Sequence, residues 1–410
     1  MSKVNFNFVE NGSVTTPNGF SAAGITAGLK RSGNPDMAMI FSRVPANFGA
    51  AFTSCTFAAA PVMLDRQTTL KSPFIQAVTI NSGNANACTG STGMRNAEIM
   101  CELTAAELNI APEAVMVSST GRIGVQMPMQ IISDGIKLAA KSLSENGGLD
   151  AAGAIMTTDT VRKSLAVQLE IDGKIVSIGA MTKGAGMIDP KMVVPHATML
   201  CYITTDAKVS NALLNEFVGR GVNNSFNRIT VDGDMSTNDT TILMANGLSG
   251  VEIKAGTPQA ELFFSAVQEI MQRLAKMMVM DGEGATKFVT IKIVNAKDDS
   301  DAKLAAEAIG NSLLCKTAWF GCDPNWGRVV AALGYSTAAF DAEKVNIFYD
   351  DYPVVKAGGD AGTPEATLAE VLKKREFTIL VDLNAGNGEF WVWSCDISYE
   401  YVKINAEYNT

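Results

Sequence analysis

Residues 183–207 read KGAGMIDPKMVVPHATMLCYITTDA, and they join a loop rich in glycine and proline to a run of apolar residues. The apolar run at 199–203 has the composition of a buried strand, so Thr198 stands where the loop enters that strand. If the Ala197–Thr198 peptide bond were cut, Thr198 would carry both a hydroxyl nucleophile and an α-amino base, whose pKa is ordinarily roughly 7.7 to 8.0. The alternative is a threonine that only begins a strand, a position that threonine favours.

Composition and charge narrow the class of protein. The chain has 410 residues, of which 47% are hydrophobic and 18% charged, so we expect a large core and two or three domains. The net charge of −9 and the scattered lysines and arginines argue against a nucleic-acid surface and favour small-molecule partners. The first residues, MSKVNFNFVENGSV, lack the features of a secretion signal, which predicts a cytoplasmic protein. The long uncharged stretches at 44–64 and 72–94 contain too many Pro, Gly and Asn residues for membrane spans, so no membrane partner is expected.

Cysteine and histidine usage bears on redox and metal chemistry. Seven cysteines are an odd number, and they are widely spaced without a CxxC pair, which is typical of reduced thiols in a cytosolic protein. The single histidine, His196, leaves no histidine-rich metal cluster, so no metal site is predicted. His196 lies two positions before Thr198, where it either assists a cleavage step or is an ordinary loop residue.

The hydrophobic periodicity predicts a layered mixture of strands and helices. Helices are expected at 94–108, 127–143, 211–218, 258–280 and 301–314, and strands at 77–80, 166–171, 288–293 and 377–383. Residues 24–62 alternate short apolar runs with Gly, Pro and Asn, which indicates several strands and no helix before Met94. The pattern favours an α/β or α+β fold in layers. A polar linker at 295–301 suggests a first domain at 1–294 and a second at 295–410.

Two loops of small residues follow predicted strands. Ser118 begins SSTGRIG at 118–124, a composition that can direct backbone N–H groups and a hydroxyl at one anionic oxygen, as in an oxyanion hole. NSGNANA at 81–87 would allow a ligand to approach the backbone closely. Plain turns are the alternative for both loops. Neither loop matches a phosphate-binding P-loop, and Gly184-Ala185-Gly186 lacks the third glycine of a dinucleotide fingerprint, so no nucleotide cofactor is predicted.

Two charged residues stand in suitable places to bind an amino acid. Glu283 lies between glycines in DGEGATK at 281–287, where its carboxylate could hold an ammonium group, and Lys183 could neutralise a carboxylate. Ordinary surface charges in turns are the alternative.

Taken together, these segments resemble the ornithine acetyltransferase family, the bifunctional acetyltransferases of arginine biosynthesis. The matching motifs are KGAGMI at 183–188, ATML at 197–200, VDGDMSTNDT at 231–240, EGATK at 283–287 and DPNWGR at 323–328. GFSAAGITAGLK at 19–30, NSGNANACTG at 81–90, SSTGRIG at 118–124 and the terminal YVKINAEYNT also match. Each motif is short, but their order and spacing cover essentially the full chain.

The resemblance implies an αββα sandwich of the self-processing N-terminal-threonine kind, with a smaller C-terminal α/β domain. It implies a precursor that cuts itself at Ala197–Thr198 into an α chain, 1–197, and a β chain from residue 198. The two chains would remain associated, as a dimer of αβ pairs in a heterotetramer.

The resemblance also implies the reaction and its residues. Acetyl would pass from N2-acetylornithine to Thr198 and then to glutamate in a ping-pong cycle, without a metal or organic cofactor, and acetyl-CoA is a possible additional acetyl donor. Thr120 and Gly121 would form the oxyanion hole. The substrate-binding residues would be Thr157, Lys183, Thr198, Glu283, Asn405 and Thr410.

The segment before Ala197 departs from the family pattern. Val193-Val194-Pro195-His196 makes it about four residues longer than in the family, an insertion that costs little loop entropy.

Two other functions are alternatives to the transferase. A hydrolase of the self-processing aminopeptidase kind would use the same Thr198 ester with water as the acceptor. A binding protein without catalysis is the third hypothesis, and the longer loop is the feature that favours it.

Overall fold

The structure is a computed structural model of the 410-residue chain, and it describes residues 6–191 and 199–407. The first strands and helices are β1 (Phe6–Phe8), β2 (Phe20–Ile25), β3 (Met37–Phe52), α1 (Ala60–Lys71), β4 (Ile75–Asn84), α2 (Gly90–Leu108), β5 (Val115–Arg122), α3 (Met129–Lys141), α4 (Gly148–Ala154), β6 (Lys163–Ile171) and β7 (Lys174–Lys183). Then follow β8 (Leu200–Thr205), β9 (Lys208–Val209), α5 (Asn211–Asn223), β10 (Thr240–Ala245), β11 (Glu252–Ile253) and α6 (Pro258–Met280). The chain ends with β12 (Phe288–Ala296), α7 (Asp299–Gly310), α8 (Leu313–Phe320), α9 (Trp326–Gly334), β13 (Asn346–Tyr349), β14 (Tyr352–Lys356), β15 (Gly359–Asp360), α10 (Glu365–Lys373), β16 (Glu376–Asp382), β17 (Gly388–Cys395) and α11 (Tyr399–Glu407).

Two sheets share the long strand β3. The C-terminal half of β3 pairs with β10, and the strand order of this first sheet is β1-β6-β7-β8-β10-β3. The N-terminal half of β3 pairs with β2 and with β4, and β4 pairs in turn with β5 to complete the second sheet. The register shifts between Phe41 and Ala46, where the strand passes from one sheet to the other. Such an irregularity bends a strand, so one strand can serve both layers.

Three clusters of buried apolar residues show how the layers stack. Between the sheets, Ile40 and Val78 of one sheet pack with Tyr202 and Ile242 of the other. Helices α5 and α6 cover the outer face of the first sheet, and α2 and α3 cover the outer face of the second. The order of layers is therefore helix, sheet, sheet, helix, which confirms the predicted αββα architecture.

The smaller C-terminal domain is a sheet with helices packed on it. Its strand order is β15-β14-β13-β16-β12-β17, and α7 packs against β12 and β17 through buried residues such as Ala305 and Ile309. The predicted domain boundary at 294/295 falls inside β12 (Phe288–Ala296), and the division into 1–294 and 295–410 stays a prediction. Strand β12 pairs with β16 and β17 from Phe288 onwards. Val289, Ile291 and Ile293 belong to the core of this sheet, whereas Phe288 packs in the core beneath α5 and α6.

Several elements differ from the sequence expectation. Helix α1 lies at Ala60–Lys71, where no helix was predicted, and Pro61 in its first turn is a residue that favours a helix start. Strand β3 is continuous from Met37 to Phe52, although Pro45, Asn47 and Gly49 were interpreted as breaks. The predicted helix at 301–314 is divided into α7 and α8, because the Ser312 side chain accepts a hydrogen bond from the Cys315 N–H and caps α8.

In the described parts of the chain, every helix is too short or too polar to traverse a lipid bilayer.

Candidate active site

A cavity of about 160 Å³ lies where the ends of β5, β7 and β8 meet the loop before β10 and the C-terminal helix α11. Its lining includes Thr120, Gly121, Thr157, Lys183, Glu283 and Asn405. Every described residue that the sequence analysis placed in the oxyanion hole or in substrate binding therefore lines this one cavity. Their individual roles stay predictions, but their convergence from segments far apart in the sequence is a property of the fold.

Ala197, Thr198, Thr410 and the inserted segment 193–196, which ends at His196, lie outside the described residues. The nearest described residue is Met199, which follows Thr198 in the sequence and lines the cavity. Strand β8 begins at the next residue, and Leu200 pairs with Lys183 across the antiparallel β7–β8 ladder. The register of this ladder therefore fixes Lys183 beside the start of the strand that the proposed nucleophile precedes.

Asp239 holds the backbone at this strand start. Its carboxylate accepts a hydrogen bond from the Met199 N–H, and the Met199 carbonyl accepts one from Thr240 N–H at 2.5 Å. Met199 has φ of 120°, a conformation that costs a non-glycine residue roughly 1–3 kcal/mol. Asp239 is buried and lines the cavity, so it connects a strained backbone position to the cavity wall.

The oxyanion-hole candidates sit at the end of β5. Gly121 has φ of 128°, and a Cβ there would lie 2.5 Å from the carbonyl carbon of Gly83 on the adjacent β4. Only glycine fits this backbone conformation and this close approach. The segment is held from the other side by Asn238, whose amide Nδ2 donates to the carbonyls of Ser119 at 2.8 Å and Ala85 at 2.6 Å. The NSGNANA segment at 81–87 therefore packs directly against Gly121. Its residues 81–84 are the end of β4 and do not form a turn.

Lys183 is the cationic residue among those that line the cavity. Its ammonium Nζ lies 3.5 Å from the Thr120 hydroxyl, close enough to donate a weak hydrogen bond. Burial lowers the pKa of Lys183 from its ordinary value, although the nearby carboxylate of Asp159 opposes that shift. A buried ammonium next to a hydroxyl and backbone amides suits the carboxylate of an amino-acid substrate.

A buried network of ion pairs and hydrogen bonds lies next to Lys183 and is centred on Asp159. Asp159 accepts hydrogen bonds from Lys163 Nζ and the Gly184 N–H, both at 2.7 Å, and from the Thr157 N–H at 3.0 Å. Lys163 Nζ also contacts the carboxylate of Asp281, which follows α6. Burial raises the cost of ionising Asp159, but the two lysines and these hydrogen bonds outweigh it and lower its pKa to about 2. One carboxylate thereby positions Thr157 and the residue after Lys183.

Glu283 faces the cavity from the loop before β12. Its Oε2 accepts a hydrogen bond from Asn405 Nδ2 at 2.7 Å, so helix α11 reaches back over the site. Gly186 lies directly beneath this carboxylate, because a Cβ at Gly186 would lie 2.4 Å from the Glu283 Cδ. The glycine of the KGAGMI motif therefore makes room for the acid of the EGATK motif.

Sequence reasoning missed Asp159, Lys163, Asp239 and Asp281 as parts of the site. Asp239 stood inside the VDGDMSTNDT motif, so a signal for it was present. Asp281 likewise stood inside the DGEGATK segment at 281–287. Asp159 and Lys163 are isolated charged residues, and their relevance depends on burial: Lys163 is fully buried and Asp159 nearly so. A buried charge needs a partner, but the sequence cannot show which residues are buried.

The chain is similar to known proteins over nearly its full length. The ArgJ family model matches residues 21–410. An arginine biosynthesis bifunctional protein ArgJ from Caldanaerobacter subterraneus subsp. tengcongensis is 47% identical over 405 residues, which cover 98% of this chain and 99% of that protein. A glutamate N-acetyltransferase from Methanocaldococcus jannaschii is 46% identical over an alignment of 411 positions, which covers 98% of this chain and 100% of that protein.

Among solved structures, an ornithine acetyltransferase from Mycobacterium tuberculosis in complex with ornithine is 37% identical to the matching part of this chain. The match covers 46% of this chain and 100% of that chain, with a TM-score of 0.43.

Proposed function

The chain belongs to the ArgJ family, and from this premise we propose that it is an acyltransferase of arginine biosynthesis that moves acetyl from N2-acetylornithine to glutamate. The observation that carries the proposal is the gathering of Thr120, Gly121, Lys183, Glu283 and Asn405 around one cavity that Met199 also lines. An amino-acid substrate presents a carboxylate and, in ornithine, a side-chain ammonium. Lys183 and Glu283 offer the matching charges on the two sides of the cavity.

The first step of the proposal is self-processing at Ala197–Thr198. The Thr198 hydroxyl oxygen attacks the Ala197 carbonyl, the peptide C–N bond breaks, and the resulting ester is hydrolysed by water, which frees the Thr198 α-amine. The fold supports an association of the two resulting chains. Strand β7 lies before the bond and β8 after it, and they pair from Lys183 with Leu200 to Ile178 with Thr205. Strands β8 and β10 also lie between β7 and β3, so the sheet itself joins the α and β chains.

The transfer then runs in two half-reactions. The Thr198 α-amine takes the hydroxyl proton as the oxygen attacks the acetyl carbonyl, and Thr120 and Gly121 stabilise the negative charge that develops on the carbonyl oxygen. The C–N bond to ornithine breaks, the amine leaves with the proton, and an acetyl ester of Thr198 remains. The glutamate amine then attacks the ester carbon, and the bond from that carbon to the Thr198 oxygen breaks. A proton of the attacking amine passes through the α-amine to the Thr198 oxygen, and N-acetylglutamate leaves. These steps require no metal or organic cofactor, and we propose acetyl-CoA as a second donor for the same ester.

We also propose a cytoplasmic location and a dimer of αβ pairs, as the family resemblance implies.

The test of the function is acetyl transfer by the purified full chain. With [acetyl-¹⁴C]acetylornithine as donor, we expect labelled N-acetylglutamate only when glutamate is present, with little free acetate. If acetate forms at the same rate without glutamate, water is the acceptor and the protein is a hydrolase. If neither product forms although the Thr198 N-terminus is present, the proposed function is wrong.

Gly186→Ala offers a test of the Glu283 side of the cavity. The added methyl group would occupy the position of the Glu283 carboxylate, which lies at the end of a flexible side chain and so can move away. We expect KM for acetylornithine to rise roughly tenfold, about 1.4 kcal/mol of binding, with little change in thermal unfolding. Gly334→Ala is the control, because a Cβ there meets no atom within 4 Å. Equal KM values for both variants would contradict the assigned role of Glu283.

Lys183→Arg tests the pH dependence. Because burial lowers the pKa of Lys183, its ammonium loses a proton at a lower pH than an ordinary lysine, and we expect kcat/KM to fall on the alkaline side as the charge disappears. A guanidinium stays charged throughout this range, so the variant should lose the alkaline fall even though its activity at neutral pH is lower. The measurement is kcat/KM for acetylornithine between pH 6 and about pH 10.5. An identical alkaline fall in both proteins would show that another group titrates.

A further inference from the structure

A second cavity, of about 810 Å³, opens directly beside the active-site cavity. Thr157 and Thr158 line both cavities. Gly121 lines the first and its neighbour Arg122 lines the second, so adjacent residues of β5 face the two spaces. The second cavity is several times larger than the 160 Å³ space that we assign to an amino acid. It is within the range of sites for cofactor-sized ligands.

The second cavity is basic, although the chain is acidic. Its cationic lining residues are Lys30, Arg31, Arg122 and Arg162, which come from three separate segments of the chain. Among the described residues that line it, Asp159 is the one acid, and its carboxylate is already bound to Lys163. With a net charge of −9 for the whole chain, such a concentration of cations favours an anionic ligand. We call this cavity the basic groove.

One wall of the basic groove is fixed before any ligand binds. The buried carboxylate of Asp36 accepts backbone N–H hydrogen bonds from the loop that carries Lys30, including Ala27 at 2.6 Å and Lys30 at 3.0 Å. The Lys30 ammonium then donates to the carbonyls of Pro35 and Met156, each at 2.7 Å. These bonds use two of its three N–H donors. A cation held in place in this way loses little conformational entropy on binding an anion.

The lining between the cations is largely apolar. Leu29, Val125, Pro128 and Met156 contribute to it, and Val125 is 38% exposed. A ligand that fits must therefore combine several negative charges with an uncharged portion. Arginine side chains bind phosphate oxygens through paired N–H groups, and a phosphate ester concentrates more charge than a carboxylate.

We propose that the basic groove binds the phosphate-bearing nucleotide end of an acyl thioester donor, whose acyl end passes Thr157 and Thr158 into the active-site cavity. The proposal rests on the acetyltransferase function and adds a binding site to it. In the transfer, the Thr198 oxygen forms a bond to the acetyl carbon and the carbon–sulfur bond breaks. The hydroxyl proton passes through the α-amine to the leaving thiolate, which departs as a thiol. Acetylornithine would enter the smaller cavity only, so the two donors would share the acetyl ester but occupy different spaces.

The first measurement is binding of adenosine 3′,5′-bisphosphate to the full cleaved protein by isothermal titration calorimetry. We expect saturable binding that weakens as salt is raised, because the contacts are ionic. Burial lowers the pKa of Lys30 to about 8, and a bound phosphate would favour its charged form. Binding near pH 8 should therefore take up a proton, which is seen as a difference in heat between buffers of different ionisation enthalpy.

Two variants and a matched control test the location. Arg122→Ala and Arg162→Ala should each weaken binding of the bisphosphate about tenfold, about 1.4 kcal/mol. Arg375→Ala removes the same charge from an exposed position in the C-terminal domain, so its affinity should equal that of the parent. Arg162→Lys should recover part of the lost affinity, which shows that charge and not misfolding explains the loss. Equal affinities in all variants, or no binding to the parent protein at millimolar bisphosphate, would overturn the proposal.

Kinetics separate a donor site from an effector site. If the groove holds the donor, Arg122→Ala should raise KM for acetyl-CoA in glutamate acetylation by about tenfold, and the bisphosphate should compete with acetyl-CoA. Binding of the bisphosphate without competition would show a nucleotide effector site and overturn the donor assignment. Transfer from acetylornithine by the parent protein is measured in parallel. If the parent protein transfers acetyl from acetylornithine but does not bind the bisphosphate, only the groove proposal is wrong. If it binds the bisphosphate but transfers no acetyl group, the proposed function is wrong.

Discussion

Thr198→Ala is expected to yield one uncut chain and to abolish acetyl transfer. The substitution removes the hydroxyl that we propose attacks both the Ala197 carbonyl and the acetyl group, and without cleavage there is no α-amine to act as base. Intact mass under denaturing conditions should show a single species close to the 43.4 kDa of the full sequence, whereas the parent should show two fragments that meet at Ala197 and Thr198. The rate of transfer should fall by roughly 10⁴-fold or more, as when a nucleophile that acts with its base is removed.

Thr198→Ser is the matched control for this experiment. Serine keeps the hydroxyl and, after cleavage, the α-amine, so we expect processing and transfer to persist at reduced rates. An alanine variant that still splits at the same bond would refute self-cleavage by Thr198. An uncut parent protein would mean that the longer segment at 193–196 prevents processing, and the reading of the chain as a binding protein would then be favoured.

Asp159→Asn is expected to cause the second large effect, a loss of stability together with a change in the titration of Lys183. The asparagine leaves the fully buried Lys163 with Asp281 as its remaining carboxylate, and breaking a buried ion pair costs roughly 3–5 kcal/mol. The same change removes a carboxylate that opposes the lowered pKa of Lys183. The alkaline fall of kcat/KM should therefore move to lower pH, a shift that a purely structural role of Asp159 would not produce.

The pH dependence of this stability loss has a defined direction. The pKa of Asp159 in the folded protein is lowered to about 2, whereas an unfolded aspartate titrates near 3.9. Its stabilising contribution is thus present above about pH 4 and disappears as the pH falls towards 2. The difference between parent and variant should shrink over that window.

The stability measurement is best made in the Thr198→Ala background, where the α and β segments stay covalently joined, and at one fixed protein concentration for all variants. Urea midpoints at neutral pH give the comparison. Asp172→Asn is the control, since Asp172 lies in an exposed turn and the charge change is the same. Equal midpoints for the two asparagine variants would show that the buried network does not stabilise the fold.

The strongly periodic segments were predictable from the sequence. The prediction of α6 at 258–280 agrees with the structure, and α2, α3 and the strands β4, β6, β12 and β16 lie close to their predicted positions. Here local periodicity and packing act together, because each of these elements buries one continuous apolar face or run. Prediction failed at α1, which has a mixed polar and apolar composition, and at β3, whose Pro45 lies where the strand passes from one sheet to the other.

The sequence by itself singled out Thr198, Lys183, Glu283 and the Thr120–Gly121 pair as chemically capable residues, because they lie in short motifs that a single segment displays. Their roles stay predictions, and all of them except Thr198, which lies outside the described residues, line one cavity. Only the tertiary structure decided which other residues join them. Asp159 meets Lys163 and Asp281, Asp239 meets Met199, and Lys30 comes to the same groove as Arg122 and Arg162. These contacts depend on strand register and on burial, which are set by the packing of segments far apart in the chain. A charge is costly to bury without a partner, and burial is a property of the fold and not of any local stretch of sequence.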